Sequence, residues 1–328
     1  MGEDEGKVAR GLTWLLKGGI SAFAIFWVMR KVDFAGAWGQ ARHIDAGWLL
    51  AALLLLTVQL GVGAARWAVV LRALGGVFAF RRTLAVYYMG AFFTQVATVG
   101  GDAIRMLFSR RSGLSLATAV NSVLLERVVT VFGLIVLVAG TEPLLLHRSS
   151  AIPGAWVFPA LVVAGGAGIA VLGLLDRLPA ALSRWRLVRG LGHLAGDTRR
   201  LFLHPGWGPA SLGMAILGHV NLTLGLWALA RGLHLPVDAL DCVVLFPPVI
   251  LVTTLPISIG GLGVREAAMA TLFGFVGVPH DSAVVLSLVF FATSVVTALP
   301  GGMVFLLSGE RRADARPVDV GSATSVGG

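Results

Sequence analysis

Two adjacent charged residues stand in the middle of an apolar stretch of this chain. Glu126 and Arg127 lie within the apolar segment 114–140. An ionisable side chain at bilayer depth is costly, and it therefore almost always faces protein or a polar cavity. Successive helical residues point about 100° apart, so these two cannot simply neutralise each other. We expect each of them to pair with a residue from another part of the chain.

A glycine pair followed by an arginine occurs twice, 160 positions apart. The first copy reads Val99-Gly100-Gly101-Asp102-Ala103-Ile104-Arg105, and the second reads Ile259-Gly260-Gly261-Leu262-Gly263-Val264-Arg265-Glu266. If a short helix begins after each pair, its free N–H groups and partial positive charge favour an anion, and glycine lets a ligand approach the backbone. Arginine adds bidentate binding of phosphate. We therefore predict a substrate site built from Glu126, Arg127 and the two copies: Gly100, Gly101, Asp102, Arg105, Gly260, Gly261, Arg265 and Glu266.

These residues also allow structural interpretations. The charges could form an ion-pair network that pins helices together. Arg105 could be a cytoplasmic anchor like Arg110 and Arg111, with glycines that only permit a tight turn. Another group of arginines is interpreted as ordinary anchors of this kind: Arg66, Arg72, Arg81 and Arg82.

Composition places these residues in a membrane protein. Of 328 residues, 56% are hydrophobic and only 13% are charged, about half the charged fraction of a soluble domain. Continuous apolar runs near 20 residues predict an all-α polytopic membrane protein rather than the short alternating strands of a barrel. The net charge of +9 comes mainly from arginines that flank apolar runs, which favours anionic lipid over nucleic acid as a partner.

Eight apolar segments are visible, and two of them are unusual. The segments are 12–29, 46–65, 83–99, 114–140, 155–175, 209–229, 239–257 and 281–307. The third is rich in polar residues and the seventh contains three prolines, so both are candidates for re-entrant hairpins. Treating these two as re-entrant places most Lys and Arg residues in the cytoplasm. We predict six transmembrane helices plus two re-entrant segments in the plasma (inner) membrane, with both termini cytoplasmic.

This topology inserts the two glycine-pair copies from opposite sides, which predicts an inverted repeat with halves 46–140 and 209–307. Trp67 and Trp227 share the same 160-residue offset. The predicted organisation is a cytoplasmic N-terminus (1–10), a transmembrane domain (11–308) and a disordered cytoplasmic tail (309–328). The loop 182–202 is predicted to form an amphipathic helix on anionic headgroups.

Three stretches resemble one family: Gly100-Gly101-Asp102-Ala103-Ile104-Arg105, Leu125-Glu126-Arg127, and Leu255-Pro256-Ile257-Ser258-Ile259-Gly260-Gly261-Leu262-Gly263-Val264-Arg265-Glu266. They are similar to the flippase-like transmembrane region of the lysylphosphatidylglycerol synthase family, over about residues 10–310. In its two-domain members this region is thought to move aminoacylated phosphatidylglycerol between leaflets, and a cytosolic domain makes that lipid. Because this chain ends soon after its last span, we expect a stand-alone member without the synthase domain.

The resemblance and the charged residues together predict a lipid translocase that moves a phospholipid or a lipid-linked headgroup through a polar groove. Two alternatives remain open: a membrane enzyme with Glu126 or Glu266 as a base, and an accessory subunit of a separately encoded lipid-modifying enzyme. The sequence shows no Walker loop, no Ser/His/Asp set and no cysteine cluster, since Cys242 is its only cysteine. We predict no catalytic set, no metal and no cofactor.

Overall fold

The computed structural model describes residue 39 and residues 42–76, 78–97, 100–148, 157–177, 186–254 and 263–310. These ranges are largely helical and contain no strand. We number the helices in chain order: α1 (Ala46–Ala73), α2 (Phe80–Ala97), α3 (Gly101–Arg111), α4 (Leu116–Arg148), α5 (Val157–Leu172), α6 (Arg186–Phe202), α7 (Trp207–Gly232), α8 (Ala239–Thr254), α9 (Val264–Gly274) and α10 (His280–Glu310).

Four of these helices are long and apolar enough to cross a membrane. They are α1, residues Leu116–Thr141 of α4, α7, and residues His280–Ser308 of α10. Shorter apolar helices run over Ala160–Leu172 and Ala239–Thr254. The prediction of an all-α membrane protein is confirmed. The predicted first span (12–29), the N-terminus (1–10) and tail residues 311–328 lie outside the described residues.

The seventh apolar segment is more regular than its prolines indicate. Helix α8 continues through both Pro247 and Pro248, so neither of these prolines ends the helix. A proline removes one backbone donor, but packing against neighbouring helices keeps a short helix intact, and α8 contacts α4, α7 and α9.

Helices α2 and α3 form a hairpin with a close backbone approach. A Cβ at Gly101 would lie 2.3 Å from the carbonyl oxygen of Gly90, and a Cβ at Gly90 would lie 2.8 Å from Cγ of Arg105. Only glycine therefore allows α3 to pack back along α2 at this distance. Helices α8 and α9 are also in contact with each other. Each of the two re-entrant candidates, α2 and α8, therefore packs against the short helix that follows it.

Both pairs of helices, α2–α3 and α8–α9, pack against the long helices. Helix α1 packs along α7 in the most extensive helix contact, α2 packs against α10, and α8 packs against α4. The α2–α3 pair thus contacts α4 and α10, and so does the α8–α9 pair.

Helix ends in the two predicted halves, 46–140 and 209–307, have similar backbone geometry. The described residues with positive φ form three pairs: Gly75 with His234 after α1 and α7, Gly100 with Gly263 before α3 and α9, and Gly113 with Gly277 after α3 and α9. Beyond α1, the Gly76 N–H donates to the Leu71 carbonyl at 2.8 Å, and beyond α7 the Leu235 N–H donates to the Ala230 carbonyl at 2.9 Å. This is the Schellman arrangement, which usually needs glycine in the left-handed position.

Helix α6 occupies the loop for which an amphipathic helix is predicted. Its buried side chains recur at helical spacing and include Ala195, Thr198 and Leu201. Arg199 donates to the Gly173 carbonyl and to both carboxylate oxygens of Asp176, at 2.8 and 2.5 Å in the latter case. This hydrogen bonding lowers the pKa of the Asp176 carboxyl below its ordinary value. The pair ties α6 to the end of α5.

Candidate functional site

A group of five charged side chains, which we call the arginine–carboxylate cluster, lies where α1, α3 and α4 meet. Its members are Arg66, Asp102, Arg105, Glu126 and Arg127. Glu126 is the tenth residue beyond the start of the span in α4, which places it about 15 Å along the helix axis. The cluster therefore lies well inside the apolar length of this helix.

Glu126 is the centre of the cluster. One of its carboxylate oxygens accepts hydrogen bonds from Arg66, at 2.5 Å from Nη2 and 3.1 Å from Nε. The other accepts from Nη1 of Arg105 at 3.0 Å. The exposed fraction is 2% for Glu126 and 4% for each of the two arginines. A carboxylate this deeply buried is stable only when opposite charges surround it, and here two guanidinium groups do so.

Arg105 has hydrogen-bonding capacity to spare. Its guanidinium lies over the ring of Trp67 at 4.5 Å and over that of Tyr87 at 5.0 Å, so aromatic faces hold it in place. Its Nε and Nη2 groups are buried and have no hydrogen-bond partner among the described residues. Buried donors normally find a partner, so these N–H groups are suited to a ligand.

Arg127 points away from Glu126 and binds a different carboxylate. Its Nε and Nη2 donate to the two oxygens of Asp102, both at 3.0 Å. The side chains are 51% exposed for Arg127 and 37% exposed for Asp102. The prediction that Glu126 and Arg127 each pair with other segments is confirmed, with Arg105 and Asp102 as the partners from the first glycine-pair copy.

A cavity of about 320 Å³ adjoins this cluster. Three cluster members line it, namely Asp102, Arg105 and Arg127, and the other lining residues are Leu56, Gln59, Leu60, Tyr87, Gly90, Ala91, Thr94, Gln95, Leu222, Ser294, Thr297 and Ala298. Its volume is at the lower end of the range for small-ligand sites. The wall combines charged groups, hydroxyls and amides with apolar side chains, which suits a polar headgroup better than a hydrocarbon.

The cluster carries one excess positive charge, because three arginines face two carboxylates. An excess charge at bilayer depth is expensive unless a ligand or water balances it. The arrangement can therefore hold a monoanion such as a phosphodiester, with Arg105 and Arg127 as hydrogen-bond donors.

Arg265 and Glu266 form a separate and more closed group. Arg265 donates to Glu266 at 2.8 Å and to the Ser287 hydroxyl at 2.8 Å, and Ser287 donates to the same carboxylate at 2.9 Å. Glu266 also accepts the Gly263 N–H at 2.6 Å and so caps α9. Neither residue lines the cavity beside the arginine–carboxylate cluster. The structure thus divides the predicted site residues between two places.

The glycines of the two copies have different positions. Gly100 precedes α3 with φ of 121°, and Gly101 is its first residue. In the second copy the cap is Gly263 with φ of 79°, and Gly260 and Gly261 lie outside the described residues. Arg265 is consequently the second residue of α9, whereas Arg105 is the fifth of α3. The two arginines are not at equivalent helix positions.

One residue of the cluster was misinterpreted from the sequence. Arg66 looks like a positive anchor at a helix end, and that interpretation is wrong because α1 continues to Ala73 and buries Arg66 against Glu126. The residues that follow the Arg66-Trp67 pair could have indicated this, because the helical pattern continues beyond the arginine. No set of three or more His, Cys, Asp or Glu side chains suited to a metal ion is present in the described part of the chain.

The family model of the lysylphosphatidylglycerol synthase TM region matches residues 14–301. The chain belongs to this family. The match includes the arginine–carboxylate cluster and both hairpins. No curated protein matches the chain. Membership of the lysylphosphatidylglycerol synthase TM family, together with the four long apolar helices, makes this an integral membrane protein with a lipid-related function.

Proposed function

We propose that this protein is a lipid translocase and that the cavity beside the arginine–carboxylate cluster receives the headgroup. The observation that carries the proposal is the excess positive charge within the apolar span of α4, beside buried N–H groups of Arg105 that have no hydrogen-bond partner among the described residues. A soluble anion has no ordinary route to this depth, whereas a lipid headgroup reaches it while its tails stay in the bilayer.

The chemistry of the wall favours a phosphate-bearing headgroup. Guanidinium groups bind phosphate oxygens with charge-assisted hydrogen bonds, which are stronger than neutral ones. Gln59, Thr94, Ser294 and Thr297 also line the cavity, and they offer hydrogen bonds to glycerol, sugar or amino groups attached to the phosphate. The substrate class is therefore a phospholipid or a lipid-linked phosphate.

The proposal includes an inverted repeat in which the α2–α3 and α8–α9 hairpins are re-entrant from opposite sides. Two features support it: the paired positive-φ positions, and the matching contacts of α2 with α10 and of α8 with α4. Halves inserted in opposite directions give a translocase two related gates around one site. We place the protein in the plasma membrane with cytoplasmic termini, following the loop charges.

The inverted repeat predicts opposite accessibility for two equivalent positions. Ser112 and Phe275 are the C-terminal caps of α3 and α9. In a Cys242→Ser background, Phe275→Cys should react with a membrane-impermeant thiol reagent added to intact cells. Ser112→Cys should react only after permeabilisation, because its loop is cytoplasmic. Reaction of both from the same side contradicts the inverted arrangement.

The translocase proposal is tested by variants that change the cavity charge in opposite directions. Arg127→Gln removes the excess positive charge, and Asp102→Asn doubles that charge with little change in the shape of its own side chain. We expect Arg127→Gln to slow the leaflet exchange of a fluorescent phosphatidylglycerol in proteoliposomes by about tenfold or more, the effect of losing one charged hydrogen bond. Asp102→Asn should bind this lipid more tightly than the unmodified protein does.

The matched control is Arg110→Gln, which removes an exposed arginine from α3 and should leave the exchange rate unchanged. Exchange that is equally fast in Arg127→Gln and in Arg110→Gln contradicts the proposal. Chromatography of the vesicle lipids provides a second readout, since a new lipid product would indicate a membrane enzyme instead.

A further inference from the structure

An apolar groove lies between α4 and α5 and shares one lining residue, Arg127, with the polar cavity. It has a volume of about 520 Å³. Its lining residues come from both helices: Val128, Val131, Phe132 and Ile135 of α4, and Gly165, Gly168, Ile169 and Leu172 of α5. Among the described residues that line it, only Arg127 is charged.

Arg127 lines both the polar cavity and the apolar groove. One side chain is therefore shared by a space suited to phosphate and a space suited to hydrocarbon. A phospholipid has the same arrangement, since its charged phosphate is joined to hydrocarbon chains. Because the two spaces share Arg127, a lipid whose phosphate contacts this residue has an apolar groove beside it for a chain.

The glycines of α5 create the groove in two ways. A Cβ at Gly165 would lie 3.0 Å from the Phe132 ring, so glycine at this position permits the close approach of α5 to α4. A Cβ at Gly168 would meet no atom within 4 Å, so the missing side chain leaves open space. Gly168 thus leaves room within the groove, while Gly165 lets the two helices that form its walls contact each other.

We infer that this groove holds one hydrocarbon chain of the lipid whose phosphate binds at Arg105 and Arg127. The inference rests on the proposed function and narrows it: the substrate is a phosphate lipid with a long chain, and it enters sideways between α4 and α5. Lipid tails in the bilayer are as apolar as the groove, so the groove adds no hydrophobic driving force. Its role is to let the chain lie beside the seated headgroup without a clash.

The test fills the groove without disturbing the protein. Gly168→Leu places a side chain in the open space, and Gly166→Leu is the matched control because Gly166 also has no atom within 4 Å but lines a different groove, beside α6. The purified full-length chain in detergent is titrated with dioleoyl phosphatidylglycerol. Glycerophosphoglycerol, which has the same headgroup without chains, is used as a competitor at high concentration.

We expect Gly168→Leu to weaken the binding of dioleoyl phosphatidylglycerol by roughly tenfold or more, as overpacking of a filled site does. Competition by glycerophosphoglycerol should be the same in Gly168→Leu as in the unmodified protein. The Gly166→Leu variant should bind dioleoyl phosphatidylglycerol with the affinity of the unmodified protein. Unchanged lipid affinity in Gly168→Leu overturns the inference and leaves the proposed function standing, and so does an equal loss for both compounds. Failure of the unmodified protein to bind the lipid at all overturns the proposed function itself.

Discussion

Replacement of Arg105 by glutamine is expected to weaken the binding of a phosphate lipid by about tenfold to a hundredfold. A hydrogen bond to a charged group contributes about 1.5 to 3 kcal/mol, and each 1.4 kcal/mol corresponds to about tenfold in affinity. Arg105 is held over Trp67 and Tyr87, so its free N–H groups are already oriented and little entropy is lost when a ligand binds. The substitution also removes the excess positive charge of the cluster.

The measurement is equilibrium binding of phosphatidylglycerol to the purified protein. Arg105→Lys keeps the charge and loses the planar fork, so it should retain an intermediate affinity. A lipid with the same chains and an uncharged sugar headgroup should bind Arg105→Gln and the unmodified protein with similar affinities. If Arg105→Gln binds phosphatidylglycerol as tightly as the unmodified protein does, Arg105 has no role in headgroup binding.

Replacement of Glu126 by glutamine is expected to lower the free energy of unfolding by about 3 to 5 kcal/mol, the usual cost of removing one partner from a buried ion pair. Glu126 accepts hydrogen bonds from both Arg66 and Arg105. Without its charge, the buried guanidinium of Arg66 has no carboxylate partner among the described residues, and Arg105 keeps only Asp102, at 3.4 Å. This loss is larger than the loss expected from removing either arginine alone, because Glu126 would then keep the other one.

Chemical denaturation in mixed micelles measures this effect. The double variant Arg66→Gln, Glu126→Gln also removes the buried Arg66 charge that Glu126→Gln leaves without a carboxylate, so its loss of stability should be smaller than the sum of the two single losses. Asp281→Asn is a suitable control, because that side chain is 47% exposed and its loss should cost less than about 1 kcal/mol. A Glu126→Gln protein as stable as Asp281→Asn would mean that the cluster does not hold the helices together.

The helices were largely predictable from the sequence, because apolar length determines them. The predicted segment 209–229 became α7, and 281–307 became α10, with shifts of only a few residues at each end. The pairing of the Glu126-Arg127 dipeptide with Asp102 and Arg105 followed from the cost of isolated charges in a membrane. These conclusions needed only local pattern and elementary electrostatics.

Two features of the charged residues could not be predicted in the same way. Arg66 was assigned to a helix end because a charge usually marks the end of an apolar segment, but a buried partner 60 residues away allows the helix to continue through it. The equivalence of Arg105 and Arg265 failed because the positive-φ cap in the second copy is Gly263 rather than the glycine pair. Both errors arise because the sequence pattern does not reveal tertiary contacts or backbone dihedral angles.

The claim that the arginine–carboxylate cluster passes a lipid headgroup is tested most directly by leaflet exchange in vesicles that contain the purified protein. The unmodified protein should exchange fluorescent phosphatidylglycerol well above the rate of protein-free vesicles. The double variant Arg105→Gln, Arg127→Gln should fall to that background rate, while the control Arg110→Gln, Arg200→Gln retains exchange. A double cluster variant that exchanges lipid as fast as the unmodified protein, or an unmodified protein no faster than empty vesicles, would contradict the claim.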